Sequence, residues 1–101
     1  MNLMIKVGDG TKRIGDQYLS NEIRMDFNDS IGKFAQTPKS KNFTEYMSPS
    51  NKGLIFFIEI DLEDKYSVLQ EVERLSILYN TEMEVFCLDG MEQIYIMGKV
   101  S

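Results

Sequence analysis

The fold is decided by a strand that is followed at once by a helix, GLIFFIEIDL at residues 53–62 and DKYSVLQEVERLSILY at residues 64–79. In the first stretch Leu54 and Phe56 alternate with Ile55, so both faces of the strand are apolar at its start. A strand of this kind lies inside a sheet and is covered on both sides. We therefore place it at the centre of the fold.

The helix after this strand has one apolar side. Its apolar residues recur at helical spacing: Leu69, Val72, Leu75 and Tyr79. Asp61 or Asp64 is positioned to cap its start, and Asn80 is positioned to close its end.

A hairpin is predicted after the helix, with strands at 82–88 and 91–99 joined at Asp89-Gly90, a preferred two-residue turn. This turn sets a register that pairs Phe86 with Gln93 and Glu84 with Tyr95. One side of the hairpin is then apolar core. The other side is mixed and includes Glu84, Phe86 and Tyr95.

Before the central strand, Met1 to Val7 alternates like a strand, and Lys12 to Ile14 can return as a second strand after a glycine-rich turn. Residues 16–36 fit a strand over a short window, but a helical face explains more residues over a longer one. We predict a helix that is weakened near Asn28 and stopped by Pro38. Residues 37–52 are predicted to be a loop because they hold both prolines and many polar residues.

These elements predict a fold with both helices and strands, α/β in the broad sense and α+β in the narrower one. The expected order is β-β-α-β-α-β-β, with a mixed sheet, the C-terminal Asp-Gly hairpin and two helices packed on the sheet. A chain of 101 residues that is 43% apolar supports one core, so residues 1–101 are expected to form a single domain.

Composition excludes several kinds of chemistry. The chain has no histidine and one cysteine, Cys87, which removes histidine-based catalysis, intramolecular disulfides and the usual zinc sets. We therefore expect no enzyme activity, no cofactor and no metal. No apolar run approaches the roughly 20 residues of a membrane span, so we expect no membrane association and a reducing cytoplasm as the location.

Charge is unevenly distributed. Residues 1–58 carry eight basic and six acidic side chains (+2), whereas residues 59–101 carry three basic and ten acidic ones (−7), which sums to the net charge of −5. An acidic half repels nucleic acid and attracts basic protein surfaces. A basic protein partner is therefore expected and nucleic acid is not.

The densest cluster of functional groups combines Glu59, Asp61, Glu63 and Asp64 at the end of the central strand. Helix capping explains it most simply, and a Mg²⁺ site or contact with a basic partner are the alternatives. The acidic cluster and the mixed side of the hairpin together provide the candidate contact residues: Glu59, Asp61, Glu63, Glu82, Glu84, Phe86 and Tyr95. If the first helix covers the mixed side instead, the aromatics there are ordinary core.

Two short segments carry a family resemblance. Ile5-Lys6-Val7-Gly8 and Arg13-Ile14-Gly15, which leads into the predicted first helix, resemble the start of some bacterial immunity proteins of polymorphic toxins. The helix and strand from Tyr66 to Phe86 are similar to theirs in layout. The resemblance implies a protector that binds a toxin domain made by a neighbouring gene. Such families share no catalytic residues, so it implies no particular site residue.

The leading hypothesis is thus a stoichiometric inhibitor that masks a basic site on a toxin or nuclease domain. A phage-encoded inhibitor of a host defence protein fits the same surface properties. A small-molecule-sensing regulatory domain, dimeric through an edge strand, is a second class of function. A Mg²⁺-dependent carboxylate enzyme is a third.

Overall fold

The computed structural model describes residues 1–8, 17–48, 51–90 and 92–97. Short 3-10 turns at Gly32–Phe34 and Leu62–Asp64 separate its main elements. Those elements, in chain order, are β1 (Asn2–Val7), α1 (Gln17–Ser30), β2 (Lys41–Ser48), β3 (Asn51–Glu59), α2 (Lys65–Leu78), β4 (Met83–Cys87) and β5 (Glu92–Met97).

The strands form one sheet in the order β2-β3-β1-β4-β5, and every pairing between neighbours is antiparallel. β3 and β4 therefore run in the same direction with β1 between them. The first four strands and the two helices make the split βαβ arrangement of ferredoxin-like domains. β5 extends this arrangement by one strand beside β4.

The core lies between the sheet and the helices. β1 alternates so that Leu3, Ile5 and Val7 are fully buried, whereas the residues between them are not. On α1, Ile23 and Phe27 are fully buried and join the same apolar cluster. The residues that α2 contributes to the cluster are Val68, Leu69, Val72 and Leu75.

Polar contacts tie the two helices together beside this core. The Tyr79 hydroxyl donates a hydrogen bond to the Asp26 carboxylate. Burial and this acceptor raise the pKa of Tyr79 above its ordinary value. Arg74 Nη2 also donates to Ser30 Oγ at 2.8 Å, which links α2 to the last turn of α1.

Asn80 closes the end of α2, as predicted, and it does so in the left-handed conformation. Asn80 has φ 49°. The Thr81 N–H donates to the Ser76 carbonyl at 3.0 Å, and the Asn80 N–H donates to the Ile77 carbonyl at 3.2 Å. These two hydrogen bonds form a Schellman motif, in which asparagine tolerates the left-handed conformation better than most residues.

The predicted α+β class is confirmed, with two helices and an antiparallel sheet. The expected mixed sheet is wrong, because all four described pairings are antiparallel. The predicted strand at Lys12 to Ile14 lies outside the described residues. The described order is β-α-β-β-α-β-β, because an additional strand follows α1.

That additional strand, β2, corrects the prediction of a loop at residues 37–52. β2 pairs with β3 without interruption from Lys41↔Ile58 to Ser48↔Asn51. The loop prediction relied on proline and polar content. The strand forms because its phenylalanine, threonine and tyrosine favour extended backbone and β3 supplies the complete ladder.

The helical interpretation of residues 16–36 is correct for α1. The helix continues past Asn28 to Ser30 and then tightens into the 3-10 turn at Gly32–Phe34. Burial of Phe27 and Ile31 against the sheet offsets the poor helix propensity of the intervening residues. Asp16, the first residue of the predicted helical stretch, lies outside the described residues.

We expect Phe27→Ala to lower the free energy of unfolding by about 3–5 kcal/mol, because the ring is fully buried and the cavity cannot collapse completely. Phe86→Ala is the matched control. Its ring is half-buried on the other side of the sheet, so we expect a loss below about 2 kcal/mol. Urea denaturation followed by circular dichroism measures both. Equal losses would contradict the described placement of the two rings.

Candidate binding surface

Both helices lie on one side of the sheet. The Phe27 ring of α1 meets the Phe56 ring of β3 edge-on, with centroids 5.4 Å apart. The buried residues of α2 join the same cluster as Leu3 and Ile5. No described helix lies on the opposite side, so the expectation that β3 is covered on both sides is not met by the described helices. We call this opposite side the helix-free face. On the three inner strands, β3, β1 and β4, it consists of Asn2, Met4, Lys6, Ile55, Phe57, Glu59, Glu84 and Phe86.

An apolar row crosses the middle of the helix-free face. Phe57 of β3 pairs with Met4 of β1, and Met4 pairs with Phe86 of β4. All three side chains are half-buried. The alternative in which α1 covers Phe86 is wrong, because α1 packs against Phe56 on the other side of the sheet.

Charged residues lie on both sides of this row. Glu59 pairs with Asn2 at one end of the face, and Glu84 pairs with Lys6 towards the other end. Opposite charges at paired positions of antiparallel strands attract one another. The face thus combines an apolar centre with two carboxylates and one ammonium group.

The structure brings together only part of the predicted contact set. Glu59, Glu84 and Phe86 share the helix-free face. Asp61 and Glu63 are exposed at the turn before α2, beyond the end of β3. They follow the end of β3 in the chain and are not part of the helix-free face.

Glu82 lies just before β4 and is half-buried. Its carbonyl accepts a hydrogen bond from the Gly8 N–H at 2.9 Å, which fixes the backbone there against the end of β1. Glu82 is therefore placed at the opposite end of the sheet from Asp61 and Glu63.

The predicted register of β4 and β5 fails at Tyr95. Phe86 pairs with Gln93 as predicted, but a register shift follows, so that Tyr95 pairs with Val85 and Ile96 pairs with Glu84. The shift leaves one extra residue on β5, as in a β-bulge. Tyr95 thus occupies a position in the row of Val85, a core residue, and not in the row of Glu84. The predicted pairing of Glu84 with Tyr95 is wrong.

The acidic cluster at the end of β3 does not cap α2. Neither Asp61 nor Asp64 makes a side-chain cap hydrogen bond, and the Asp61 carboxylate accepts from Gln36 Nε2 at 3.0 Å. Gln36 reaches Asp61 because the segment after α1 crosses the end of β3 at the Ala35↔Ile60 bridge. Within the described ranges, no three acidic or thiol side chains converge to hold a metal ion.

A shallow depression of about 350 Å³ lies where the helix-free face meets the ends of β1, β3 and β4. Glu59 is the predicted contact residue that borders it. Its lining is Asn2, Leu3, Lys39, Ser40, Asn42, Phe57, Ile58, Glu59, Leu88 and Asp89. The alternating sequence of β1 places Asn2 and Met4 on the same side of that strand. The sequence does not show which strands lie beside them.

Asp89 closes one side of this depression. The Asn2 N–H donates to the Asp89 carboxylate at 2.9 Å, and Asn2 Nδ2 donates to it at 3.0 Å. These two hydrogen bonds favour the ionised form and lower the pKa of Asp89 below its ordinary value. They attach the turn of the C-terminal hairpin to the start of β1.

Comparison with protein-family models, curated protein sequences and solved structures found no match. Neither α1 nor α2, the two α-helices in the described part of the chain, has the length and apolar character that a membrane span requires.

We expect Asp89→Asn to lower the free energy of unfolding at neutral pH, because the amide replaces an ionised acceptor with a weaker one. The pKa of Asp89 is lower in the folded state than in the unfolded state. The stabilisation that its carboxylate provides is therefore complete at pH values above the unfolded pKa. It is lost as the pH falls below about 4 and through the folded pKa. Urea denaturation of both proteins over a pH series measures the difference. A difference that does not shrink in acid would contradict this role.

Proposed function

We propose that this protein is a small acidic inhibitor that binds a basic partner protein, such as a toxin domain, in a stoichiometric complex and masks its site. The observation that carries the proposal is the row Phe57–Met4–Phe86 on the helix-free face, with Glu59 and Glu84 beyond it.

The apolar part of this surface supports a protein interface. Aromatic rings and methionine are enriched at interface centres, where they bury much area, and methionine also adapts to an uneven partner. Phe57, Met4 and Phe86 lie side by side on three adjacent strands, so a partner can cover them together. Their support by a sheet with a packed core keeps the loss of flexibility on binding small.

The charge of the protein supports a basic partner. The net charge is −5, and the helix-free face and the depression at its end include Glu59, Glu84 and Asp89 against Lys6 and Lys39. Excess negative charge speeds the encounter with a basic surface and disfavours an acidic one.

Inhibition fits this chain better than catalysis. The chain has no histidine, so the commonest general acid–base group is missing. The single cysteine, Cys87, is half-buried at the end of β4 and suits a reducing, cytoplasmic location. A protein that acts by covering a partner's site needs only a complementary surface of its own.

The proposal is tested by capturing the partner from the native cell with tagged protein at moderate salt, followed by mass spectrometry. We expect one basic protein in near-stoichiometric amount, released by high salt. Glu59→Lys should weaken its binding roughly tenfold, because it places like charges in contact. Glu73→Lys is the matched control, since it makes the same change in net charge at an exposed position of α2.

A bait that captures no partner would contradict the proposal, and so would equal weakening by Glu59→Lys and Glu73→Lys. Inhibition of the purified partner at a one-to-one ratio completes the test. Binding without inhibition would contradict the inhibitor function and support only a binding function.

A further inference from the structure

β2 forms an outer edge of the sheet. It is the first strand in the order β2-β3-β1-β4-β5, and no other described strand lies beyond it. The strand is eight residues long and pairs with β3 without a register shift. An edge that is long and regular is a template for pairing with another chain.

The ladder to β3 determines which backbone groups of β2 face outwards. The Glu59 N–H donates to the Ser40 carbonyl, so Ser40 and every second residue after it bond towards β3. The residues between them direct their N–H and carbonyl groups to the open side. These residues are Lys41, Phe43, Glu45 and Met47.

The other edge of the sheet is less suited to pairing. β5 has six residues, and the register shift beside Val85 and Phe86 interrupts its ladder with β4. A β-bulge twists an edge strand and discourages addition of a further strand. The two edges therefore differ, and β2 is the one that can extend the sheet.

We propose that two copies of this chain pair along β2 in antiparallel orientation, with the two-fold axis at Phe43. In this register Lys41 of each copy lies opposite Glu45 of the other, and Phe43 lies opposite its own counterpart. All the paired residues belong to the outward-bonding set, so about six backbone hydrogen bonds form across the interface. The contact is isologous and closes at a dimer.

Charge selects this register over its neighbours. An axis at Lys41 or at Glu45 places a charge opposite itself, which destabilises an antiparallel pair. An axis at Asn42 or at Thr44 places Phe43 opposite a charged residue. A lysine ordinarily protects an edge strand from pairing. In the proposed dimer, Glu45 of the second copy lies opposite Lys41 and carries the opposite charge.

The dimer has a consequence for the helix-free face. Residues that pair across antiparallel strands share one side of the sheet, so the two helix-free faces join on the same side of a continuous sheet. A partner then meets a surface of twice the extent with two-fold symmetry. The proposal does not depend on the inhibitor function, since pairing is measured on the purified chain alone.

Sedimentation velocity of the full chain, from low micromolar to near-millimolar concentration, tests the proposal. We expect a reversible dimer. Lys41→Glu and Glu45→Lys should each weaken it roughly tenfold or more, because each turns both opposite-charge pairs into like-charge pairs. Glu92→Lys on β5 is the matched control and should leave the dimer intact. Circular dichroism confirms that each variant is folded.

Mixing the two weakened variants is the decisive measurement. An equimolar mixture of Lys41→Glu and Glu45→Lys proteins should form a heterodimer, because glutamates at 41 and 45 of one copy meet lysines at 45 and 41 of the other. Recovery of the dimer on mixing supports the register. A wild-type monomer at every concentration would overturn the proposal. It would also be overturned by a dimer insensitive to both variants, by a mixture that stays monomeric, or by open-ended assembly.

Discussion

The pairing of β1 with two strands at once is the constraint on which the rest of the structure depends. β1 is bonded to β3 on one side and to β4 on the other, over almost its whole length. Leu3, Ile5 and Val7 are fully buried and belong to the apolar cluster that includes residues of both helices. Because each helix connects β1 or β3 to a strand elsewhere in the sheet, the central position of β1 determines where both helices pack.

The same alternation produces the candidate binding surface. When Leu3 and Ile5 are buried, Met4 and Lys6 must lie on the opposite side. β3 and β4 then bring Phe57 and Phe86 next to Met4. Folding and binding therefore use alternate residues of the same three strands. A substitution on the helix-free face can change binding with a small effect on the core, since the side chains there are only half-buried.

Local periodicity was sufficient for the features whose determinants are close in sequence. Helix α2 and its closure at Asn80 follow from spacing over a few turns, and the Asp89-Gly90 turn correctly pairs Phe86 with Gln93. Features that depend on distant partners were not predictable in this way. β2 needs the ladder of β3, and the bulge that moves Tyr95 out of the row of Glu84 appears only once β4 and β5 are paired. The position of Met4 beside Phe57 and Phe86 also depends on a strand order that periodicity does not encode.

NMR of the protein labelled at its methionine ε-methyl groups shows whether the partner binds the helix-free face. Met4 lies in the apolar row of that face, Met25 is 65% exposed on α1, and Met83 is fully buried. On addition of the captured partner, we expect the Met4 signal to shift or broaden while the signals of Met25 and Met83 are retained. A change at Met25 with no change at Met4 would place the partner on the helices and show that the helix-free face is not its binding surface.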